Sequence, residues 1–123
     1  MRDIISVGEV LIDLTQTGTT DQGIPAFAAN PGGAPANVAV AAARLGAETA
    51  FFGKVGRDSF GAYLRRVLEE NGVDCSGLRT GSQPTTLAVV SVDSRGERDF
   101  QFIRGADCTL SPEEVDEEAL GRT

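Results

Sequence analysis

Histidine is absent from the 123 residues, and its absence excludes several kinds of catalytic site. Neither a Ser-His-Asp triad nor a Cys-His pair can form within this chain. Cysteine is almost as scarce, since Cys75 and Cys108 are too few and too far apart for a zinc site or a disulfide framework. We predict that both thiols are reduced and structural.

Positive charge and long apolar runs are also in short supply. Asp and Glu outnumber Lys and Arg by 18 to 11, and the net charge of −7 argues against a basic face for nucleic acid. No apolar run approaches the ~20 residues that cross a bilayer. Residues 1–5 lead into a strand pattern instead of a signal-peptide core. We expect a cytoplasmic protein that binds neither nucleic acid nor a membrane.

Apolar spacing predicts alternating strands and helices, and 123 residues suffice for one ordinary domain. Residues 4–14 read as one largely buried strand and residues 49–55 as another. Helices are predicted at 36–45, with Gly46 just beyond the end, and at 60–70, with Asp58 or Ser59 as the N-terminal cap. This alternation predicts an α/β fold with parallel strands joined by helical crossovers.

Other segments predict strands away from that sheet. The polar stretch 15–29 is predicted to hold two short edge strands, and residues 85–92 and 98–104 form a hairpin pattern. Further on, Ser111-Pro112-Glu113-Glu114 has the sequence of a capping box. It predicts an acidic helix that runs through Glu118 with its acids facing water.

Residues 31–37 have the features of a helix entrance that holds a polar small molecule. Gly32 and Gly33 let the backbone pass close to a ligand, and Pro35 suits the first helical turn. Free N–H groups and Asn37 are then available at the entrance. The alternative is that the glycines form only a tight turn and Asn37 satisfies only local backbone.

Asp13 and Arg104 are two further candidate binding residues. Burial of the Asp13 carboxylate is costly unless donors such as two sugar hydroxyls reach it, although it could instead cap a turn. Arg104 ends a strand beside aromatic residues and can stack on them or bind a carboxylate or phosphate; a solvated strand end is the alternative. Because ligands of α/β sheets lie beyond the strands' C-terminal ends, we expect Asp13, residues 32–37 and residues 53–58 to face one cleft.

Several ordered segments match one family pattern. They are residues 8–13, 32–39, 45–46, 53–61 and 100–107, and residues 32–39 read Gly-Gly-Ala-Pro-Ala-Asn-Val-Ala. Together they resemble the ribokinase-like (PfkB) carbohydrate kinases, and within them most closely the fructokinases. The resemblance covers nearly the whole chain.

The resemblance implies a fold. Residues 1–123 would be the N-terminal part of a ribokinase-like βαβ sandwich, with a small β-sheet lid formed by about 15–29 and 85–104. Such a lid excludes water and so limits wasteful hydrolysis of ATP. Its exposed strands offer edges for a homodimer. The ATP-binding half would lie outside these residues.

The resemblance also implies an activity, the transfer of a phosphoryl group from ATP, with magnesium, to a hydroxyl of a small sugar. The matching substrate positions are Asp13, Gly32, Gly33, Asn37 and, as a further contact, Arg104. The family's general base is an aspartate in a Gly-Ala-Gly-Asp motif of the C-terminal half, expected downstream of Thr123. The similar run at residues 105–107 lacks the second glycine and is predicted not to open a helix.

Two alternatives to a fructokinase remain open. One is a kinase of the same family whose acceptor is 2-keto-3-deoxygluconate or a nucleoside. The other is a sugar-binding module without catalysis. In either case a half-sheet leaves strand edges and apolar faces uncovered, so we expect the isolated 123 residues to aggregate or to bind apolar dyes.

Overall fold

Gly8 separates the first apolar segment into two strands that belong to different sheets. The computed structural model, which describes residues 2–123, has one strand at Ile4–Val7 and the next at Leu11–Thr19. The prediction of one largely buried strand over residues 4–14 is therefore wrong. Gly8 has a φ of 150°, which side chains disfavour, and the apolar pattern gives no sign of this break.

The strands and helices of residues 2–123 are as follows. The strands are β1 (Ile4–Val7), β2 (Leu11–Thr19), β3 (Pro25–Gly32), β4 (Thr49–Gly56), β5 (Val73–Asp74), β6 (Leu78–Gly81), β7 (Leu87–Val92) and β8 (Arg98–Ile103). The α-helices are α1 (Ala34–Arg44), α2 (Ser59–Glu70) and α3 (Glu117–Gly121), and 3-10 turns lie at Ala106–Thr109 and Pro112–Glu114. Across residues 2–123, each helix is too short or too polar to cross a membrane.

β4 is the centre of the first sheet. β1 pairs with one side of β4, β5 and β6 pair with the other, and all three pairings are parallel. The predicted strand at 49–55 and the predicted helices at 36–45 and 60–70 correspond to β4, α1 and α2, with boundaries shifted by at most two residues. The parallel pairing confirms the predicted α/β class.

One apolar core lies beneath both sheets. Phe51 of β4 and Leu64 and Leu68 of α2 are at most 1% exposed. Val10 and Ile12, which lead into the second sheet, belong to the same cluster. Because both sheets share this core, burial of apolar surface fixes one sheet relative to the other.

The second sheet has the strand order β3-β2-β7-β8. β2 pairs with β3 in antiparallel and with β7 in parallel orientation, and β7 and β8 form the predicted hairpin. The two strands predicted within residues 15–29 therefore exist and lie away from the first sheet. They extend further at both ends, and β2 is a central strand where an edge strand was predicted.

The C-terminal end of α1 follows the predicted glycine pattern. Gly46 has a φ of 99°, and its N–H donates to the carbonyl of Ala43 at 3.0 Å. The N–H of Ala47 donates to the carbonyl of Ala42 at 3.1 Å. These two bonds form a Schellman motif, which satisfies carbonyls that the helix end would otherwise leave unpaired.

The capping box near the C-terminus forms, but it opens only a 3-10 turn. Ser111 and Glu114 make the reciprocal bonds, yet Val115 is extended and α3 begins only at Glu117. The predicted continuous helix is wrong, since Asp116 caps a separate helix by accepting hydrogen bonds from the N–H groups of Glu118 and Ala119. The Glu114 carboxylate also accepts a hydrogen bond from the Lys54 ammonium, at 2.9 Å. This bond is the main reason that the pKa of Glu114 is lowered, and it shows that not all of these acids face water alone.

The two thiols differ in their surroundings. Both are free, but Cys75 is buried and Cys108 is exposed. Burial raises the pKa of the Cys75 thiol to about 11, so this thiol is inert and structural, as predicted. The exposure of Cys108 does not support a packing role for that residue.

Apolar side chains are exposed on the outer strands of both sheets. Ile4 and Val7 of β1 are 37% and 43% exposed, and Phe100 and Phe102 of β8 are 55% and 47% exposed. β1 and β8 are edge strands among the residues described. The expectation that the isolated chain aggregates or binds apolar dyes stays a prediction.

Asp58 joins α2 to the chain that enters the second sheet. Its carboxylate accepts hydrogen bonds from the Gly61 N–H at 2.8 Å, the Thr85 N–H at 2.9 Å and the Thr85 hydroxyl at 2.6 Å. Burial opposes ionisation, but these bonds outweigh it and lower the pKa of Asp58. The predicted cap of α2 therefore also anchors the base of β7.

We expect Asp58→Ala to lower the free energy of unfolding by about 2 kcal/mol, because it removes a helix cap and leaves the Thr85 groups unpaired. Chemical denaturation of the full-length gene product measures this. The full difference in free energy should be measured at pH values above 3.8, the unperturbed pKa of an aspartate. The difference should shrink at lower pH, since an aspartate with a lowered pKa stabilises the fold only when it is ionised.

Asp21→Ala is the matched control because Asp21 lies in an exposed turn. It should change the free energy by less than about 0.5 kcal/mol. Equal losses for the two variants would contradict the anchoring role of Asp58.

Candidate functional site

Four connections between the two sheets meet in one place. They are residues 8–10, 32–33, 84–86 and 104–107, and we call this region the junction. Its backbone is closely packed: the Ala106 N–H donates to the Pro84 carbonyl at 2.7 Å, and the Ile12 N–H donates to the Thr86 carbonyl at 3.1 Å. Side chains at the junction are therefore held by both sheets.

Gly33 allows two of these connections to touch. It has a φ of 101°, and a Cβ atom there would lie 2.7 Å from the carbonyl oxygen of Glu9 and 3.1 Å from the Cα of Val10. Only glycine permits both the conformation and this approach. The start of α1 is thus held against the turn between β1 and β2.

Asp13 lies against Gly32. It is half-buried in the middle of β2, opposite Asn30 of β3, and its carboxylate occupies the space that a Cβ of Gly32 would need. Asp13 therefore caps no turn, and Gly32 ends a strand instead of forming a tight turn. The absence of a side chain at Gly32 makes room for the Asp13 carboxylate.

No hydrogen bond from residues 2–123 compensates the partial burial of the Asp13 carboxylate. Burial, and to a lesser degree the negative charge of Glu9, raise its pKa, and no hydrogen bond from residues 2–123 offsets the shift. A carboxylate in this state gains from any ligand that brings hydroxyl donors.

Asn37 lies one turn into α1, beside Gly32. Its N–H makes the first helical bond, to the Gly33 carbonyl at 2.9 Å, and no side chain caps this helix end. Asn37 and Gly32 line a cavity of about 100 Å³ with Val10 and residues of α2. That volume is below the usual ~300–1,000 Å³ of a ligand pocket, so this cavity is too small to be a ligand pocket by itself.

Arg104 is engaged by the protein itself. Its Nη1 donates to Glu9 at 2.8 Å and to Asp107 at 2.7 Å, and its guanidinium lies 4.6 Å from the centre of the Phe102 ring. Stacking and carboxylate binding were both predicted, and both are satisfied within the chain. The hydrogen bonds to Glu9 and Asp107 raise the pKa of Arg104, and the side chain remains 46% exposed.

Sequence reasoning missed Glu9 and Asp107 as members of the site. Asp107 accepts a hydrogen bond from the Thr86 hydroxyl, and burial opposes but does not prevent a lowered pKa for this carboxyl. Residues 105–107 open no α-helix, as predicted, but a 3-10 turn begins at Ala106 and positions Asp107. The only sequence signal was that both acids lie inside segments of the family pattern.

Residues 53–58 do not share this cavity. Residues 55–59 line a separate groove of about 920 Å³ along α2. Gly53 instead packs against the turn that follows β1, where a Cβ atom would lie 2.8 Å from the carbonyl oxygen of Gly8. Gly32 contacts Asp13 and lines the cavity beside Asn37, but Asp13 does not line that cavity, so the single cleft stays a prediction.

Comparison with known proteins places the chain in a family. Residues 1–122 match the pattern of the pfkB family carbohydrate kinases. The chain belongs to this family. The resemblance inferred from the ordered motifs is thus confirmed, and the junction lies within the matched region.

Named relatives are fructokinases. The chain is 48% identical over 118 residues to probable fructokinase-4 of Arabidopsis thaliana, covering 91% of this chain and 36% of that protein. Against fructokinase-1 of Zea mays the identity is 45% over 124 residues, covering 97% and 38%. The chain therefore spans little more than a third of the length of these relatives.

Solved structures of fructokinases have the same fold over the matched part of the chain. The crystal structure of fructokinase from Xylella fastidiosa superposes with a TM-score of 0.87 at 42% identity, covering 94% of this chain and 37% of that one. A structure of fructokinase from the same organism with bound ATP gives a TM-score of 0.85 at 40% identity, covering 94% and 35%. The fold of residues 2–123 is that of part of a pfkB-type kinase.

We expect Gly33→Ala to be more destabilising than Gly23→Ala. Both positions have positive φ, but a Cβ at Gly23 meets no atom within 4 Å, whereas one at Gly33 strikes the Glu9 carbonyl. Gly23→Ala should cost about 1 kcal/mol, and Gly33→Ala about 2 kcal/mol more. Denaturation midpoints of the full-length gene product measure both, and equal costs would show that the close approach is unimportant.

Proposed function

We propose that these residues are the sugar-binding part of a sugar kinase, a fructokinase, that transfers the γ-phosphoryl group of ATP to a sugar hydroxyl. Asp13 accepts hydrogen bonds from two sugar hydroxyls in this proposal. Gly32 and Gly33 give the sugar close access to the backbone, and Asn37 supplies a polar contact at the start of α1. Arg104 contributes the donors that Glu9 and Asp107 leave free.

The observation that carries this proposal is the state of Asp13. Its carboxylate is half-buried and unpaired within residues 2–123, beside a glycine that makes room for it. Such a group is costly unless a ligand completes it. The family membership and the fructokinase relatives support a sugar as that ligand.

The second sheet serves as the lid in this proposal. It is joined to the first sheet by the junction and by the shared apolar core, so in this proposal its outer strands bend to open or close the space above Asp13. Closure would exclude water from the sugar, which favours transfer to its hydroxyl over hydrolysis. The lid segments correspond to the strands of residues 11–32 and 87–103.

ATP and Mg²⁺ are proposed to bind outside residues 1–123. Within residues 2–123 no three His, Cys, Asp or Glu side chains are grouped to hold a metal ion. The groove along α2 does not fit a triphosphate, because Asp58 already occupies the helix N-terminus and Arg65 donates to the carbonyls of Cys75 and Leu78. When bound, ATP supplies the phosphoryl group, and the general base is expected downstream of Thr123.

Partners and location follow from the same proposal. The exposed edge strand β8, with Phe100 and Phe102, is suited to pairing with a second copy of the protein. The free thiols and the acidic composition are compatible with the cytoplasm and with a small sugar as the ligand.

The full-length gene product should phosphorylate fructose, and Asp13→Asn should lower kcat/KM about a hundredfold. The variant loses charged acceptors for two hydroxyls, each worth about 1.5–3 kcal/mol at most. A coupled assay with ATP and fructose measures the change, and Asp21→Asn is the control that keeps full activity.

Residues 1–123 alone should not phosphorylate any sugar. Phosphorylation by this segment would contradict a general base beyond Thr123. Full activity of Asp13→Asn would contradict the sugar site. Calorimetry distinguishes the non-catalytic alternative: it predicts that the full-length product binds sugars through Asp13 without phosphorylating them.

A further inference from the structure

Two acids bind one arginine at the junction, and the charge of one of them reaches a third acid, Asp13. Glu9 and Asp107 bind the same nitrogen of Arg104, and the charge of Glu9 also acts on Asp13. With all four groups ionised, three negative charges meet one positive charge. The cluster therefore carries a net charge of about −2 at neutral pH.

The two acids that bind Arg104 are held to different degrees. The Asp107 side chain is only 6% exposed, starts from a 3-10 turn and accepts a hydrogen bond from Thr86. The Glu9 backbone is held by its close contact with Gly33, while its side chain is 31% exposed. Asp107 is therefore the partner that Arg104 cannot easily exchange for a new carboxylate.

We propose that Asp107 and Glu9 are specificity residues, which make this site accept neutral sugars and reject acceptors that carry a carboxylate or phosphate. An anionic acceptor meets an arginine whose charge is already compensated, together with the free charge of Asp13. A neutral polyol meets no such repulsion and donates hydroxyls to Asp13. The inference rests on the proposed function and narrows its substrate class.

If Arg104 instead bound a carboxylate of the acceptor, the site would prefer anionic acceptors to neutral ones. A solvent-exposed arginine with no acidic partners would attract a sugar acid and bind it in a bidentate manner. Here Glu9 and Asp107 already take that role, at 2.8 and 2.7 Å. Removing one of these charges should therefore make Arg104 available to an anionic acceptor.

The test compares two acceptors of similar size, fructose and 2-keto-3-deoxygluconate, in the full-length gene product. Asp107→Asn keeps an acceptor for Thr86 and removes one charge. We expect the ratio of kcat/KM for the acid to kcat/KM for fructose to rise about fivefold, since the effect of one charge at a few ångströms is of this order in a partly solvated site. The rise should appear as a lower KM for the acid.

Glu9→Gln provides an independent variant, and the ratio should rise in the same direction. The controls are Asp21→Asn and Glu70→Gln, which remove exposed charges away from the junction and should leave the ratio unchanged. In the unmodified protein, salt should also raise the ratio, because it screens the repulsion of the anionic acceptor.

The outcomes separate this inference from the proposed function. A protein that phosphorylates no sugar overturns both. A protein that phosphorylates fructose, but whose acceptor ratio does not change in Asp107→Asn, in Glu9→Gln or with salt, overturns this inference alone. Loss of activity toward both acceptors in equal proportion would show that the acids are only structural, which also overturns it.

Discussion

The approach of Gly33 to the backbone of Glu9 and Val10 is the constraint on which the site depends. It holds the start of α1 against the turn between the two sheets. That contact in turn places Gly32 under the carboxylate of Asp13 and leaves the helix end uncapped beside it. A side chain at position 33 would separate the helix from the turn, and the polar groups would no longer converge.

The two charged residues that the proposal assigns to the sugar, Arg104 and Asp13, differ in how the protein compensates them. Arg104 is compensated twice over and stacked on a ring, whereas Asp13 is partly desolvated and left without a donor from residues 2–123. Paired charges are stable but have little left to offer a ligand. An unpaired carboxylate is costly until a ligand completes it, which makes Asp13 the group with the most to gain from binding.

Sequence patterns were sufficient where the structure depends on nearby residues. Helical periodicity located α2, Gly46 ended α1, and Asp58 capped its helix as predicted, because each signal lies within a few residues of its effect. The assignment of Asp13, Gly32 and Asn37 to a sugar site, which was made from local chemistry and the family pattern, stays a prediction.

The failures involve contacts between distant residues. Gly8 lies against Pro35, where a side chain would not fit, and Glu114 of the capping box binds Lys54, which lies 60 positions away. Arg104 and Glu9 lie 95 positions apart, so no local pattern could show that they pair.

The most direct measurement of the central claim is a fructose titration of the full-length gene product, followed by NMR of isotopically labelled glycine amides. The resonances of Gly32 and Gly33 should shift with fructose while those of Gly46 and Gly72, at the far ends of α1 and α2, stay fixed. If Gly32 and Gly33 do not respond at a fructose concentration that saturates the enzyme, the sugar does not bind at the junction.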